Sequence, residues 1–335
     1  MRQPLVSILT PFKNTGKFLP QCVESILKQT HTNWELLIID DHSTDDSCEI
    51  VNNFAKKDPR IKLLKNDGHG IIDALRLAFK HSKGDYITRM DSDDVMTADK
   101  LKVLLDNLLE KGIQHLAVGL VNYFSDEGIS DGYGRYERWL NGLTVKGENY
   151  SGIYKECVIP SPCWMIHRDD LIACNAFNPN RYPEDYDLTF RFYKHQMICV
   201  PCDKVLHHWR DYATRTSRTH EHYAQNYFLD IKLHYFLELD YDESRVLTVW
   251  GAGFKGKHIA KLLKKRNVPF IWICNNPKKI SKHIYGIELQ SFTYLNELHN
   301  PQSIVTVANE QSQERIKTYF SDQNMKSMTD YFFFC

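Results

Sequence analysis

The sequence predicts an α/β protein whose main domain is an open, mainly parallel sheet with helices on both faces. Apolar, strand-like runs alternate with helical spacing over the first 110 residues, and acidic residues follow two of those runs. The same alternation restarts near residue 245, where a glycine-rich turn follows a strand-like run. A chain of 335 residues with 42% apolar composition is long enough for about two domains, each with its own core.

Each element of the first domain is predicted from its hydrophobic spacing. Short apolar runs are typical of strands, whereas apolar residues three and four positions apart are typical of helices. Ser43 or Asp45 is the expected cap of the second helix. Strands that alternate with helices form a mainly parallel sheet covered by helices. In order, we predict strand 6–9, helix 18–28, strand 34–39, helix 45–54, strand 61–64, helix 71–81, strand 85–90 and helix 98–110.

The pattern is weaker beyond residue 128. Residues 128–154 have little periodicity and several Gly and Tyr residues, so we expect a mobile or acceptor-facing segment there. The elements divide the chain into a main domain at 1–220, a linking helix at 221–243 and a small α/β domain at 244–335. Further on we predict helix 188–193, strand 197–205, helix 222–239, strand 245–250, helix 257–265 and strand 269–274.

Carboxylates follow two predicted strands of the main domain. Asp40 and Asp41 follow the second strand, and Asp91 and Asp93 follow the fourth. In sheets of this kind ligands bind outside the carboxyl ends of the strands, so we expect these side chains to face one crevice. Aspartate pairs are typical ligands of Mg²⁺ or Mn²⁺, which also bind substrate phosphates and water. Arg89, beside the second pair, suits a phosphate or a ribose.

The charge balance argues against a nucleic acid as the main partner. Lys plus Arg and Asp plus Glu both total 42, so no overall field attracts an anionic polymer. The first residues lack the features of a signal peptide, and no apolar run approaches the roughly 20 residues of a membrane-spanning helix. We therefore expect a cytoplasmic protein whose membrane contact, if it has one, is peripheral and at the inner face.

Ordered motifs over about 220 residues resemble family 2 glycosyltransferases. The resemblance implies the GT-A fold, an open nucleotide-binding sheet, which agrees with the predicted elements. It also implies inverting transfer of a sugar from a nucleotide-sugar, with UDP as the expected nucleotide. The matching stretches are 6–14 (VSILTPFKN), 25–30 (SILKQT), 37–46 (LIIDDHSTDD), 70–76 (GIIDALR), 91–94 (DSDD) and 183–188 (PEDYDL).

The resemblance implies a nucleotide pocket at the first motifs. Thr10 and Pro11 would line this pocket. Asp41, with Asp40 beside it, would accept a hydrogen bond from the base, and Asp73 would contribute to the same pocket. At position 76 the chain has Arg where the family often has Asn, which leaves the donor sugar open.

The resemblance also implies a metal and diphosphate site. Asp91 would reach the ribose or the metal, and Asp93 would ligate Mn²⁺ or Mg²⁺. His208, which we place after a later strand, is a third candidate ligand; the alternative is a solvated histidine in a polar loop. The basic residues of the following segment could close over the diphosphate, or lie in a solvated loop. They are Arg210, Arg215 and Arg218.

Asp185 is the predicted catalytic base. Inverting transfer needs a group that takes the proton of the acceptor hydroxyl, and a carboxylate within hydrogen-bond reach can do this. The alternative is that Glu184 and Asp185 only stabilise the start of a helix. Glu184 and Trp164 are predicted to contact the acceptor, although Trp164 suits a buried core position equally well.

The predicted function is transfer of a sugar to a saccharide or glycolipid acceptor, in surface polysaccharide or glycolipid assembly. The turn at 251–256 (GAGFKG) is also typical of dinucleotide-binding domains, so an NAD(P)-dependent oxidoreductase is one alternative. The next strand ends in Asn275 and not in an acidic residue, which argues against it. The order of domains is similar to queuosine-tRNA galactosyltransferases, which makes a tRNA acceptor a second alternative. A non-catalytic nucleotide-sugar binding protein is the third.

Overall fold

The computed structural model describes residues 3–126, 128–178, 180–215, 218 and 225–335, and for 225–227 it describes the backbone only. The chain forms two compact units. The first contains Met1–Tyr150 and Val158–Thr219, and the second contains Ser151–Cys157 and His220–Cys335. In the part of the chain that is described, no helix is both long and apolar enough to span a membrane.

The first unit is built on an eight-stranded sheet with the order β3-β2-β1-β4-β7-β6-β8-β5. The first four of these strands are parallel, and β7 runs antiparallel to both β4 and β6. Because β6 is parallel to β8, the carboxyl ends of β1, β2, β4, β6 and β8 all lie at one edge of the sheet. The strands are β1 Val6–Phe12, β2 Trp34–Asp40, β3 Ile61–Lys65, β4 Tyr86–Arg89, β5 Val95–Met96, β6 His115–Phe124, β7 Trp164–His167 and β8 Ile198–Arg210.

Helices cover this sheet and close its core. All residues of β1 and β2 are buried, as expected for strands with helices on both faces. The helices pack apolar side chains against the sheet. In the helix Lys100–Lys111 the buried apolar stripe consists of Leu101, Leu104, Leu105 and Leu108. The helices are α1 Leu19–Leu27, α2 Ser47–Ala55, α3 Ile71–His81, α4 Lys100–Lys111, α5 Asp131–Lys146, α6 Arg168–Ala173 and α7 Glu184–Lys194. The predicted α/β fold with a mainly parallel sheet is therefore confirmed.

The structure corrects two sequence predictions in the second half of this unit. Strand β8 continues to Arg210, so the segment 206–210 is part of the strand and not a loop after it. The segment predicted to be mobile contains a helix of 16 residues, α5. Its inner side carries Tyr133, Tyr136 and Trp139, which pack against the core.

The second unit has its own, smaller sheet with the order β11-β12-β10-β9-β13-β14. All pairs are parallel except β11 with β12. Tyr154, from the segment contributed by the first half of the chain, stacks on Phe334 in this unit. The strands are β9 Leu247–Trp250, β10 Ile271–Cys274, β11 His283–Ile284, β12 Ile287–Ser291, β13 Gln302–Val305 and β14 Tyr331–Phe333; the helices are α8 Gln225–Leu239, α9 Phe254–Lys265 and α10 Glu310–Asp322.

Candidate active site

Asp91 follows β4 at the carboxyl edge of the first sheet. Arg89 Nε donates to Asp91 Oδ1 at 2.8 Å, and Ser161 Oγ donates to Asp91 Oδ2 at 3.3 Å. Burial alone would raise the pKa of Asp91, but the positive charges of Arg89 and Arg215 outweigh it and the pKa lies below its ordinary value. Asp91 is therefore an ionised carboxylate at neutral pH.

Asp93 lies two residues further and is partly buried. The hydroxyl of Tyr212 donates to Asp93 Oδ2 at 2.9 Å, and Arg210 Nε donates to the Asp93 carbonyl oxygen at 2.7 Å. Burial and the neighbouring Asp94 raise the pKa of Asp93 to about 7. Negative charge is therefore crowded at this position, and a cation bound there would be stabilised.

Asp94 points into the core, where it is fully buried. Its Oδ2 lies 3.0 Å from His207 Nε2, and its Oδ1 accepts from the Arg210 amide at 2.7 Å. Lys100 Nζ lies 3.3 Å from His207 Nδ1. An ammonium group can only donate, so His207 accepts at Nδ1 and donates from Nε2 to Asp94. Burial, followed by the charge of Lys100, holds the pKa of His207 well below its ordinary value.

Arg215 places a positive charge close to these carboxylates. Burial opposes the charged form, but Asp94 and Asp93 raise the pKa of Arg215 above its ordinary value. Its guanidinium lies over the ring of Trp209, 5.3 Å from the centroid. Arg218 instead forms a two-point ion pair with Asp211, at 3.0 and 2.7 Å.

The first turn of α7 carries Glu184 and Asp185. Glu184 is 4% exposed and accepts from Arg89 Nη1 at 3.1 Å, so Arg89 connects this turn to Asp91. Asp185 is partly buried, and its Oδ1 accepts from the Tyr186 amide at 2.8 Å. Burial and the charge of Glu184 raise the pKa of Asp185 to about 7. A carboxylate with this pKa can exchange a proton near neutral pH, as a general base must.

Asp40 and Asp41 lie at the end of β2, on the same edge. Asp41 Oδ1 accepts from Asn66 Nδ2 at 2.7 Å and from the Gly70 amide at 3.0 Å. Its Oδ2 faces Lys13 Nζ at 3.8 Å. Asp40 Oδ1 accepts from the Ser43 amide at 2.9 Å. Two neutral donors, the Asn66 amide group and the Gly70 backbone amide, therefore orient Asp41 through its Oδ1 atom.

The other predicted donor-site residues lie on neighbouring elements. Thr10 and Pro11 are buried in β1, and in the described part of the chain the hydroxyl of Thr10 has no hydrogen-bond partner. Asp73 lies in the first turn of α3, where it accepts from Arg76 Nη1 at 2.7 Å. Arg76 Nε also donates to the Phe177 carbonyl oxygen at 2.6 Å, so this arginine links α3 to the loop before α7.

Two predicted residues do not join the cluster. Trp164 is 1% exposed and packs edge-on against Phe192, so the structure places it in the core and the predicted stacking on an acceptor is wrong. Because β8 extends through His208, side chains alternate there: His207 contacts Asp94, whereas His208 packs edge-on against Phe124. The placement of His208 in a loop is corrected, and its role as a ligand stays a prediction.

Sequence reasoning missed four residues of the site: Lys100, Ser161, His207 and Tyr212. His207 could have been found from the two-residue period of an extended strand. Ser161 and Tyr212 reach the cluster from elements distant in sequence. Lys100 follows the aspartate motif closely, but its partner His207 is 107 residues away, and no local pattern indicates these contacts.

The donor atoms of this site suit a hard divalent cation. Asp91 and Asp93 offer carboxylate oxygens, and burial together with the charge of Asp94 raises the pKa of Asp93, so a cation bound there would favour its ionised form. Mg²⁺ and Mn²⁺ bind such oxygens, typically one or two carboxylates together with substrate phosphates and water. Within the described residues, no group of three His, Cys, Asp or Glu side chains is arranged to hold a metal by itself.

Comparison with known proteins identifies the class. The model of Glycosyl transferase family 2 matches residues 7–174. The chain is 31% identical over 216 residues to the Escherichia coli UDP-Glc:alpha-D-GlcNAc-diphosphoundecaprenol beta-1,3-glucosyltransferase WfgD, a match that covers 62% of this chain and 77% of WfgD. The chain belongs to glycosyl transferase family 2. Two further curated relatives, 38% and 41% identical, are matched over only 42% and 48% of their own length.

Solved structures support the fold. The Staphylococcus aureus protein TarS, residues 1–349 in complex with UDP-GlcNAc, aligns with a TM-score of 0.57 at 18% identity, over 79% of this chain and 72% of the TarS chain. The mannosyltransferase PcManGT from Pyrobaculum calidifontis, in complex with GDP-Man and Mn²⁺, aligns with a TM-score of 0.53 at 16% identity, over 71% and 64%. The GT-A type of sheet predicted from the sequence is confirmed.

Proposed function

We propose that this chain is a metal-dependent, inverting glycosyltransferase that moves a sugar from a UDP-sugar to the hydroxyl of a saccharide or glycolipid acceptor. The observation that carries the proposal is that Asp91, Asp93 and Asp185 belong to one group of interacting charges, in which the charge of Asp91 acts on the other two. Arg89 bonds to Asp91 and to Glu184, the neighbour of Asp185. Family membership supplies the reaction class, and the name of WfgD supports a UDP-sugar donor and a place in surface polysaccharide or glycolipid assembly.

In this proposal Asp41 recognises the base. One of its oxygens is held by Asn66 and Gly70, and this leaves the other, which faces Lys13 at 3.8 Å, for the imide of uracil. Thr10, Pro11, Asp40 and Asp73 contribute to the same pocket from β1, the end of β2 and α3. Arg89 is committed to two carboxylates here, so we assign it to positioning Asp91 and Glu184 and not primarily to phosphate binding.

Asp185 acts as the base. It takes the proton of the acceptor hydroxyl while the acceptor oxygen forms a bond to the anomeric carbon, and the bond from that carbon to the nucleoside diphosphate breaks. Attack from the face opposite the leaving group inverts the configuration. Glu184 raises the pKa of Asp185 by its negative charge, which makes Asp185 a better proton acceptor.

Asp91 and Asp93 would hold the divalent cation, with His208 as a further candidate. A cation held there would supply positive charge to neutralise the negative charge that develops on the departing diphosphate. Tyr212 and Ser161 orient the two carboxylates through the hydrogen bonds described above. Arg215, whose positive charge interacts with Asp93 and Asp94, would contact the diphosphate as well.

Thermal shift tests this proposal. A ligand that binds only the native state stabilises it by about 2.7 kcal/mol at a hundredfold excess over its Kd. We expect UDP and UDP-sugars to raise the melting temperature in Mn²⁺, and to do so much less in EDTA. GDP-mannose serves as the comparison nucleotide-sugar. If no nucleotide or nucleotide-sugar gives a metal-dependent shift, the proposal is wrong.

The alternatives differ in their ligands. An oxidoreductase would be stabilised by NAD(P)H, and a tRNA-modifying enzyme would transfer the sugar to tRNA. A non-catalytic binding protein would be stabilised by UDP-sugar and Mn²⁺ but would release no UDP with any acceptor. Assays with these three ligands therefore separate the proposed function from each alternative.

A further inference from the structure

A cavity of about 360 Å³ lies between the segments that follow β6 and β8. We call it the β6–β8 cavity because its walls are the segments that follow those two strands. The hydroxyl that Tyr212 presents to Asp93, at 2.9 Å, belongs to one of its lining residues. The lining residues are Ser125, Gly128, Ile129, Ser130, Asp211, Tyr212, Ala213 and Arg218.

The sheet order places this cavity on the side of the metal motif away from the nucleotide pocket. The predicted base contacts lie at the ends of β1 and β2, the aspartate cluster follows β4, and the cavity follows β6 and β8. All of these strands end at the same edge of the sheet. A ligand in the cavity would therefore approach the cluster from the direction opposite to the nucleotide, as a second substrate must.

The charges of the described lining residues are balanced. Arg218 is the one cation among them, and both oxygens of Asp211 accept from it. Because this ion pair is satisfied, the walls offer little attraction for a free phosphate or a carboxylate. The pair still presents unused guanidinium hydrogens and carboxylate lone pairs, which suit adjacent hydroxyl groups of a neutral ligand.

The remaining walls also suit a compact hydroxylated ligand. Ser130 supplies a further hydroxyl, and the ring of Tyr212 supplies a flat apolar surface. Ile129 is the one aliphatic side chain larger than Ala among the lining residues that the structure describes, so these walls offer little apolar surface for an acyl or polyprenyl chain. Its volume is at the lower end of the roughly 300–1,000 Å³ of small-molecule sites, which suits one or two sugar rings.

We propose that the β6–β8 cavity binds a neutral sugar ring of a saccharide acceptor, with the Arg218–Asp211 pair contacting its hydroxyls and Tyr212 lying beside it. This inference rests on the proposed function, because the acceptor belongs to the same reaction. It replaces Trp164, which is buried in the core, as the source of acceptor contacts. Tyr212 connects the two ligands, since it lines the cavity and also positions Asp93.

The test is to fill the cavity and measure glycoside binding. Ala213 lines the cavity and is exposed, so Ala213→Trp places an indole in it. Thr214→Trp is the matched control, since Thr214 is the exposed neighbour outside the lining. The probes are the methyl β-glycosides of glucose, galactose, N-acetylglucosamine and N-acetylgalactosamine, with methyl glucuronide as the charged comparison. Their binding is observed by saturation-transfer NMR with UDP and Mn²⁺ present and again without them.

We expect at least one neutral glycoside to bind the wild-type protein and Thr214→Trp, and its signal to fall about tenfold or more in Ala213→Trp. Ser130→Trp fills the cavity from the other wall and replaces Ala213→Trp if that variant melts early. Equal binding to wild-type and filled variants overturns the proposal, and so does binding of methyl glucuronide alone or of no neutral glycoside. Failure of the proposed function is separate, since it appears as no metal-dependent shift with UDP.

Discussion

The two units have sheets of the same kind but carry very different residues at the ends of their strands. In the first unit the strand ends hold Asp41, Asp91 and Asp211, all buried or partly buried. In the second unit a glycine turn follows β9, and Asn275, which follows β10, accepts from the indole of Trp250. The first edge concentrates negative charge, whereas the second uses its polar groups to hold its own fold.

This difference shows why only one of two similar sheets has a candidate active site. Parallel sheets bring the carboxyl ends of their strands together, but this edge binds a ligand only if the side chains there carry charge that the ligand can neutralise. Among the described residues of the first unit, three carboxyls have their pKa raised to about 7: Asp93, Asp94 and Asp185. Perturbed carboxyls that cluster at one edge are typical of functional sites.

The largest difference between the two sheet edges is expected at Asp185, the predicted base. We expect Asp185→Asn to lower the transfer rate by about 10²–10⁴-fold, because the amide cannot take the acceptor proton. UDP release with a saturating acceptor measures the rate. The melting temperature should not fall, because the substitution removes a carboxyl that burial and Glu184 make costly to ionise.

Asp187 on the same helix provides the matched control. It is 5% exposed and is paired with Arg191, with 2.6 Å between its Oδ2 and Arg191 Nε. Asp187→Asn should lower the melting temperature and leave the transfer rate of the folded protein close to wild type. Unchanged transfer by Asp185→Asn would disprove the catalytic assignment.

Asp93 gives the second largest expected effect. Asp93→Asn should weaken the Mn²⁺-dependent binding of UDP by about 100-fold, which corresponds to about 2.7 kcal/mol. Tyr212→Phe removes the 2.9 Å hydrogen bond to Asp93 and should weaken the same binding by about tenfold, the lower limit for residues that orient a metal ligand. Titration calorimetry with UDP at fixed Mn²⁺ measures both. If the wild-type protein, Asp93→Asn and Tyr212→Phe bind UDP with equal affinity at fixed Mn²⁺, Asp93 is not a metal ligand.

His207 and His208 are neighbours in β8, and we expect them to contribute differently to the free energy of unfolding. His207→Phe should lower the free energy of unfolding by about 3 kcal/mol, because it leaves the buried charges of Asp94 and Lys100 without their shared partner. His208→Phe should lower it much less, since His208 is half-buried against Phe124. Urea unfolding checks both values. A loss of Mn²⁺ affinity in His208→Phe, with folding intact, would establish the predicted ligand.

The raised pKa values predict how stability depends on pH. An ordinary aspartate has a pKa near 3.9, whereas Asp93, Asp94 and Asp185 have pKa values of about 7 in the native protein. Between about pH 4 and 7 the native state keeps protons that the unfolded state has released. The free energy of unfolding of the metal-free protein should therefore fall with rising pH, by about 1.4 kcal/mol per unit for each fully protonated group. His207 acts in the opposite direction below about pH 6.5, because its lowered pKa keeps it neutral where the unfolded imidazole binds a proton, and it offsets part of this fall.

Melting temperatures from pH 5 to 8 test this sign. Asp93→Asn should flatten the curve, and Mn²⁺ with UDP should raise the melting temperature most at pH 8, where the carboxylates are ionised. A metal-free protein whose stability rises with pH throughout this window would contradict the assigned pKa values.

The sequence indicated the donor side of the site better than the acceptor side, for a physical reason. The bounds of α3, Ile71–His81, were predicted from apolar spacing, and the acidic strand ends were visible as local motifs. Helix α5 was missed because its inner face is built from Tyr133, Tyr136 and Trp139, whose amphipathic rings obscure the periodicity. Its spacing of three residues was nonetheless helical.

The inner network could not be predicted from local patterns. His207 reaches Asp94 because β8 pairs with β5, across more than 100 residues of sequence. Tyr212 reaches Asp93 in the same way, from the segment after β8. The predicted end of β8 at residue 205 put both histidines in a loop, and the continuation of the strand to Arg210 is what gives them opposite faces.

The smallest expected effect lies in the glycine turn of the second unit. A Cβ at Gly253 would have no heavy atom within 4 Å, so Gly253→Ser should change the free energy of unfolding by only a few tenths of a kcal/mol. A Cβ at Gly256 would lie 2.0 Å from the Gly251 carbonyl oxygen, so Gly256→Ala should cost about 1–3 kcal/mol. If this turn serves the fold and not a dinucleotide, both variants should transfer sugar at the wild-type rate wherever they are folded. Loss of transfer or of NAD(P)H binding in Gly253→Ser, with its melting temperature unchanged, would show that the second edge also binds a ligand.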